Sequence, residues 1–268
     1  MNDFLLAAIL GVVEGITEFL PVSSTAHLRI AQHYLGVSLD DEYWKLFAVF
    51  IQLGAILAVV VLYRARLLGF LREALKREFV QGGHRILFHP IGLIGLAFIC
   101  TAVPAFLLKK VIGENLESLN IMVGALLVGG IVMILVDRWF RVGRVHRVED
   151  MKPWQAVLIG LLQVLSAVFP GTSRSMSTIA AGQLAGLNRA TALEFSFFVS
   201  IPVMIVATLY DLYKYLKDPS STALTGHQAG VLAVGFLVSF LVAYVVVAWF
   251  LGYVQKRGFL PFGIYRIA

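Results

Sequence analysis

The sequence predicts an all-α integral membrane protein in which six transmembrane helices and two re-entrant helical hairpins form an inverted-topology repeat. Three observations predict this class: an apolar composition, a series of apolar runs long enough to cross a bilayer, and two similar apolar segments interrupted by a polar turn. Of the 268 residues, 59% are apolar and 14% are charged, with a mean hydropathy of +0.84. Because soluble domains average about 25% charged residues, this composition excludes a soluble globular enzyme, a disordered chain and a nucleic-acid-binding module.

The crossing helices are predicted from apolar runs, each close to the roughly 20 residues that a helix needs to span the hydrocarbon core. A further run begins at Phe259 and is too short to span before Ala268, so we expect an incomplete sixth helix there. The five complete runs cover residues 46–63, 91–108, 119–136, 190–213 and 229–252.

Two other apolar segments, 4–34 and 154–186, are each divided by a polar turn that contains a proline, Pro21 in the first and Pro170 in the second. The apolar pieces on either side of each turn are too short to span a bilayer. Irregular backbone inside a membrane is tolerated where protein buries it or where it lines a cavity. Each segment is therefore predicted to form a re-entrant helical hairpin.

Charge in the loops predicts the sidedness of the chain, because Lys and Arg collect in cytoplasmic loops. Thirteen Lys and Arg lie in one set of loops and five in the alternate set, and this alternation holds only if the two broken segments do not cross. The first hairpin is then on the outer side and the second on the inner side, and loop topology accounts for most of the net charge of +6. The predicted cytoplasmic loops are 64–85, 137–153 and 253–258, and the outer ones are 35–45, 109–118 and 214–228.

The two broken segments are also similar in sequence, since residues 11–26 align without gaps on residues 160–175. Three crossings separate the copies, so the second copy is inverted relative to the first, as in many transporters. We therefore predict a single membrane domain over 1–268, with repeat one at about 1–136 and repeat two at about 154–268. The alignment pairs Gly11 with Gly160, Glu14 with Gln163, Pro21 with Pro170 and Ser24 with Ser173.

Two acids, Glu14 and Glu18, are predicted to share one face of the first short helix because they are four residues apart. Charged carboxylates at membrane depth are costly and mark polar cavities or functional sites. Two acids so close repel each other unless a cation or a proton lies between them. They are candidates for a general base, for ligands of a divalent cation such as Mg²⁺ or Ca²⁺, or for both.

The turn of each hairpin is predicted to bind an anion, because a helix start offers free amides and capping hydroxyls. His27 lies one helical turn after Ser24, within reach of the same anion or hydroxyl. Arg174 opens the helix of the second copy, and its planar guanidinium suits bidentate binding of phosphate. The other candidate substrate-binding residues are hydroxyl residues of the two copies, Ser23, Thr25, Thr172, Ser173, Ser175 and Thr178.

These residues together predict a site for a phosphate group inside a membrane, without a Walker loop, a zincin motif or a dinucleotide fingerprint. The substrate is then expected to be amphiphilic, with a phosphate head that reaches the site and an apolar tail that stays in lipid.

The segment VEGITEFLPVSSTAH (13–27) closely resembles the first signature of the bacterial undecaprenyl pyrophosphate phosphatases, also called bacitracin-resistance proteins, and PGTSRS (170–175) resembles the second. The resemblance extends along nearly the whole chain, including LEFSFFVSIPVM (193–204) and LPFGIYR (260–266). Two departures stand out: Met176 occupies a position that is usually Gly, and the last helix is shorter than is usual.

The resemblance implies dephosphorylation of undecaprenyl pyrophosphate, a polyprenyl pyrophosphate lipid, to the monophosphate carrier of cell-wall sugars. It implies a multi-pass protein of the bacterial inner membrane, an active site open to the periplasm and a requirement for a divalent cation. The acidic pair of the family falls on Glu14 and Glu18, its serine and histidine on Ser24 and His27, and its arginine on Arg174.

Three mechanisms are compatible with this set of residues. In the first, Ser24 attacks phosphorus, Glu18 takes its proton or binds the cation, Glu14 supports it, and His27 serves as acid, base or ligand. In the second mechanism His27 is the nucleophile, and in the third the nucleophile is a metal-activated water.

A transporter of a polyprenyl phosphate lipid that uses the same site is the alternative function. Faces with spaced glycines, such as Gly124 and Gly129, allow helix contact and hence a possible homodimer.

Overall fold

The computed structural model describes residues 2–38, 41–76, 83–116, 118–140, 142–217 and 224–268. These residues are predominantly helical, and the one β-bridge among them joins Val145 to Leu187. Arg77 and Arg141, which contribute to the predicted cytoplasmic charge, lie outside the described residues, as does the side chain of Arg85.

The described residues form twelve α-helices and two short 3₁₀ turns, at Gly83–Phe88 and Val148–Asp150. In chain order the helices are α1 (Asp3–Thr17), α2 (Ser24–Tyr34), α3 (Glu42–Leu62), α4 (Arg64–Ala74), α5 (Pro90–Leu107), α6 (Lys109–Leu116), α7 (Leu119–Trp139), α8 (Pro153–Val168), α9 (Arg174–Leu184), α10 (Arg189–Lys217), α11 (Gly226–Arg257) and α12 (Leu260–Ile267).

Five of the described helices, α3, α5, α7, α10 and α11, are long and apolar enough to cross a membrane, with mean hydropathies of 2.0 to 2.7 over their most apolar stretches. They correspond to the five complete apolar runs of the sequence, so the all-helical, multi-pass class is confirmed. The segment after Phe259, predicted as an incomplete sixth helix, forms only the eight-residue helix α12.

Each broken segment consists of two short helices joined by a turn, α1 with α2 and α8 with α9. The longest of these four helices has 16 residues, or about 24 Å at 1.5 Å per residue, which is less than the hydrocarbon thickness of about 30 Å. The second helix of each pair begins directly after a serine in the left-handed region, Ser23 with φ 73° and Ser173 with φ 73°. A non-glycine residue seldom adopts this conformation, so the two turns share an unusual backbone geometry.

The backbone corrects the ungapped alignment of the two copies by one residue. That alignment pairs Ser24 with Ser173, whereas the shared left-handed conformation pairs Ser23 with Ser173. Helix α8 extends two residues further past Gly160 than α1 extends past Gly11. The turn after α8 is one residue shorter than the turn after α1. The alignment is therefore correct for the first helices and shifts by one residue within the turn.

The first helix of each broken segment packs against a long helix of the other half of the chain, α1 against α11 and α8 against α5. Glycines allow this close approach: a Cβ atom on Gly11 would lie 2.8 Å from the carbonyl oxygen of Gly235, and one on Gly160 would lie 2.4 Å from that of Ala97. Helix α12 packs on α7. This exchange of helices between the halves brings the turns of the two broken segments together.

Candidate functional site

The turns of the two broken segments meet inside the helical bundle. We call the residues between α1 and α2 (18–23) tip one and those between α8 and α9 (169–173) tip two. The Ser175 hydroxyl, just after tip two, donates a hydrogen bond of 3.0 Å to the carbonyl oxygen of Leu20 in tip one. This contact places the polar residues at the start of α2 and of α9 next to one another.

Three side chains form the centre of the site. The carboxylate of Glu18 accepts a hydrogen bond of 2.5 Å from the Ser24 hydroxyl at Oε2 and one of 3.2 Å from the Arg174 guanidinium at Oε1. Arg174 also lies over the ring of Phe19, with 5.6 Å between its Cζ atom and the ring centroid. Its Nε has no hydrogen-bond partner among the described residues. A serine, a carboxylate and an arginine with an unused donor therefore converge in one buried place.

A polar cavity of about 130 Å³ opens at these side chains. Because one water occupies about 10–15 Å³ by this measure, the cavity has room for a group the size of a phosphate. Six of the residues predicted for the site line it, and they come from both copies of the repeat. Its lining consists of Glu18, Ser23, Ser24, Thr25, Gln52, Ser166, Gly171, Ser173, Arg174 and Met204.

Glu14 is fully buried beside Glu18, and no donor among the described residues reaches either oxygen of its carboxyl group. A buried carboxylate without donors is costly unless a cation or a proton accompanies it. Within the described part of the chain, no three His, Cys, Asp or Glu residues form a cluster able to hold a metal ion. Mg²⁺ commonly takes one or two carboxylates together with substrate phosphates, and Glu14 and Glu18 fit that type of site.

His27 is close to the centre but directed away from the cavity lining. Its Nδ1 lies 2.8 Å from the carbonyl oxygen of Ser23, and its Nε2 lies 2.7 Å from the hydroxyl of Tyr265. Because a carbonyl oxygen only accepts, Nδ1 carries a proton, and in the neutral form of the ring Nε2 accepts from the Tyr265 hydroxyl. The sequence predicted His27 within reach of the Ser24 hydroxyl or of an anion bound at the helix start. In the structure its ring nitrogens contact Ser23 and Tyr265 instead.

Three of the predicted substrate-binding hydroxyl residues are not part of the cavity lining. Ser175 bonds tip one, as described above. The Thr178 hydroxyl is 2.9 Å from the carbonyl oxygen of Arg174 and 2.6 Å from the hydroxyl of Ser196. Thr172 contributes its carbonyl oxygen to a hydrogen bond from Arg266. Thr172 lies within the turn, whereas Ser175 and Thr178 lie on α9, whose helical geometry directs their hydroxyls into neighbouring protein.

Sequence reasoning missed the contribution of α12, which supplies Tyr265 beside His27 and Arg266 beside both tips. The available signal was an arginine within the short apolar segment LPFGIYR, because charge in an apolar membrane segment is costly and marks functional positions. Met176, the departure at the second signature, is buried in the main apolar core. Gly129 is buried within the chain against Arg266 and Met176, so it is not free to form the helix contact suggested for a homodimer.

Comparison with known proteins identifies the family. The family model described as "Bacitracin resistance protein BacA" matches residues 7–268. The chain belongs to the BacA family. A relative from Koribacter versatilis, named undecaprenyl-diphosphatase, is 58% identical, with 100% of this chain and 96% of the relative covered. A relative from Paramagnetospirillum magneticum, named undecaprenyl-diphosphatase 2, is 42% identical over 98% of this chain and 94% of the relative. One from Wolinella succinogenes, named undecaprenyl-diphosphatase, is 41% identical over 99% and 94%.

We expect inorganic pyrophosphate to stabilise the detergent-solubilised protein, because the cavity offers an arginine and several hydroxyls to an anion only in the folded state. At ten times its Kd, a ligand adds about 1.4 kcal/mol of stability, which corresponds to a rise in Tm of roughly 3 °C. Arg174→Met should remove this rise. The matched variant Arg257→Met, which changes an exposed arginine at the end of α11, should retain it. An equal rise in both variants would contradict an anion site at Arg174.

Proposed function

We propose that this chain is an integral membrane phosphatase that converts undecaprenyl pyrophosphate to undecaprenyl phosphate and so returns the lipid carrier to cell-wall synthesis. The observation that carries the proposal is the contact of Ser24 and Arg174 with one carboxylate, Glu18, at the wall of a polar cavity. Its membership of a family whose relatives are named undecaprenyl-diphosphatases agrees with this activity. Consumption of undecaprenyl pyrophosphate also accounts for the bacitracin resistance in the name of the family.

The proposed reaction begins with attack by the Ser24 Oγ on the terminal phosphorus of the substrate. A bond forms between Oγ and phosphorus, and the bridging P–O bond breaks so that undecaprenyl phosphate leaves. Glu18, which already accepts the hydrogen bond of Ser24, takes the hydroxyl proton as general base. Water then hydrolyses the phosphoserine, and the products are inorganic phosphate and free Ser24.

Arg174 stabilises the charge that spreads over the phosphoryl oxygens, which is the main requirement of phosphoryl transfer. Its side chain lines the cavity as well as contacting Glu18, and its Nε has no hydrogen-bond partner among the described residues. The amide ends of α2 and α9 add further donors at the same place. The diphosphate is then bound between one helix start from each copy of the repeat.

Ser24 is favoured over His27 as the nucleophile because of the base that each one contacts. The Ser24 hydroxyl donates directly to Glu18, whereas the nitrogens of His27 are occupied by Ser23 and Tyr265. We assign His27 the role of an acid or base that acts once substrate displaces Tyr265. A water activated by the cation remains the third mechanism.

Glu14 and Glu18 would hold the divalent cation, Mg²⁺ or Ca²⁺, together with phosphate oxygens of the substrate. A cation in this place neutralises negative charge on the phosphates. The lack of donors at Glu14 supports this assignment, because a cation would satisfy both of its oxygens.

The architecture we propose is an inverted repeat, with α3, α5 and α7 as the crossings of the first half and α10, α11 and α12 at the corresponding positions of the second. The equal φ angles of Ser23 and Ser173 support it, as does the exchange of α1 onto α11 and α8 onto α5. In this arrangement the two broken segments are re-entrant hairpins. The protein lies in the bacterial inner membrane, and its cavity opens to the periplasm.

The enzymatic proposal predicts release of inorganic phosphate from undecaprenyl pyrophosphate by the purified protein. Ser24→Ala should lower kcat at least about 1,000-fold, because it removes the nucleophile, and Arg174→Ala should lower kcat/KM at least about 100-fold. Among the described residues, the hydroxyl that the control Ser200→Ala removes bonds Phe197 of its own helix and no other group, so this variant should be close to wild type. Near-wild-type turnover by Ser24→Ala would exclude it as nucleophile, and binding of substrate without phosphate release would indicate a carrier instead.

The cation proposal predicts that removal of divalent ions by a chelator abolishes phosphate release and that Mg²⁺ or Ca²⁺ restores it. Glu14→Gln should require at least tenfold more cation for half-maximal activity, because it replaces one charged ligand by a neutral amide. The measurement is a cation titration of wild type and variant at saturating substrate. Full activity in the presence of chelator would contradict the proposal.

The sidedness proposal predicts which loops an impermeant maleimide reaches in intact spheroplasts. In a Cys100→Ser background, Lys110→Cys should be labelled from outside, because 109–118 is an outer loop. Lys76→Cys should be labelled only after the membrane is permeabilised, because 64–85 is cytoplasmic. Both positions are exposed in the structure. The reverse pattern would contradict the proposed orientation of the chain.

A further inference from the structure

Arg266 is a buried arginine whose hydrogen bonds, within the part of the chain that the structure describes, all go to backbone carbonyl oxygens. Its guanidinium donates five hydrogen bonds of 2.9 to 3.2 Å, and none of their acceptors is a side chain. Within the described ranges it forms no ion pair with an acid, although 95% of its surface is buried. Burying an unpaired charge is costly, so its position calls for an explanation beyond packing.

Three of the five acceptors belong to the two tips. Nη1 reaches the carbonyl oxygen of Pro21 at 3.1 Å and that of Thr172 at 2.9 Å, and Nη2 reaches that of Gly171 at 2.9 Å. Pro21 and Gly171 each lie two residues before the left-handed serine of their tip. Arg266 therefore binds equivalent positions of the two turns and joins them through one rigid group.

The other two acceptors fix Arg266 to α7, through the carbonyl oxygens of Ala125 and Leu126. Helix α7 leaves room for the guanidinium at a glycine: a Cβ atom on Gly129 would lie 2.3 Å from Nη2 of Arg266. One long helix, one short helix and both tips thus share this one side chain.

We propose that Arg266 is a positioning residue for the phosphatase reaction and that it sets the distance between the Ser24–Glu18 pair of the first hairpin and Arg174 of the second. The proposal rests on the proposed function. Ser24 follows tip one directly and Arg174 follows tip two directly, so a relative shift of the tips separates the nucleophile from the group that stabilises the phosphate. A misplacement of about 1 Å can lower a rate about 100-fold.

The test is a double-mutant cycle with Arg174, read as kcat for phosphate release. Arg266→Met should lower kcat about 30- to 100-fold in the wild-type background. In an Arg174→Lys background it should lower kcat no more than about threefold, because the aligned guanidinium is already absent. Arg266→Lys should recover part of the lost rate, since an ammonium can still donate to both tips. A residue that only stabilises the fold would lower kcat by the same factor in both backgrounds.

A second variant tests the same contact without changing Arg266. Gly129→Ala would push on the ends of two flexible side chains, Arg266 and Met176, so we expect a folded protein with kcat at least tenfold lower. Gly124→Ala on the same helix meets nothing within 4 Å and should keep wild-type kcat. Equal kcat for these two variants would overturn the proposal, as would equal factors in the cycle. Failure of the proposed function is distinct, because the wild-type protein would then release no phosphate.

Discussion

The contact between Glu18 and Arg174 is the interaction on which the site depends, because it joins residues 156 positions apart on two separate hairpins. Two charges taken out of water are costly unless they are paired with good geometry and further hydrogen bonds. Here Ser24 and the ring of Phe19 supply such partners. One nitrogen of Arg174 and both oxygens of Glu14 remain without partners among the described residues. An incompletely satisfied set of charges beside a cavity is suited to an anionic substrate with a cation.

The rest of the fold brings these charges together by making two broken helices meet. Left-handed serines at Ser23 and Ser173 turn the chain sharply before each second helix, and such strained residues persist only where the surroundings determine them. The surroundings here include Arg266, which bonds the carbonyl oxygens of both tips. Glycines on the first helices let α1 and α8 pack closely on the opposite halves. The two broken segments thus form an asymmetric site, in which the first carries the acids and the serine and the second carries the arginine.

That asymmetry is visible at the paired positions of the first helices. Glu14 in α1 corresponds to Gln163 in α8, and both are buried with a side-chain oxygen that lacks a donor among the described residues. The first segment borders the cavity through the carboxylate of Glu18, and the second borders it through Ser173 and Arg174. Both segments have the same turn geometry at Ser23 and Ser173. The two carboxyl groups belong to the first segment.

The sequence by itself determined the membrane class, the five long helices, the two broken segments and the choice of Glu18, Ser24 and Arg174 as candidates. These features follow from local properties of the sequence: the length of apolar runs, proline in a polar turn, and charged side chains within apolar membrane segments. Only the tertiary structure decided that Glu18 contacts Arg174, that His27 bonds Tyr265, and that Arg266 joins the tips. It also decided the one-residue shift between the copies and the burial of Thr178. The physical reason is that a side chain's direction and partners depend on the elements packed around it, and those elements are distant in sequence.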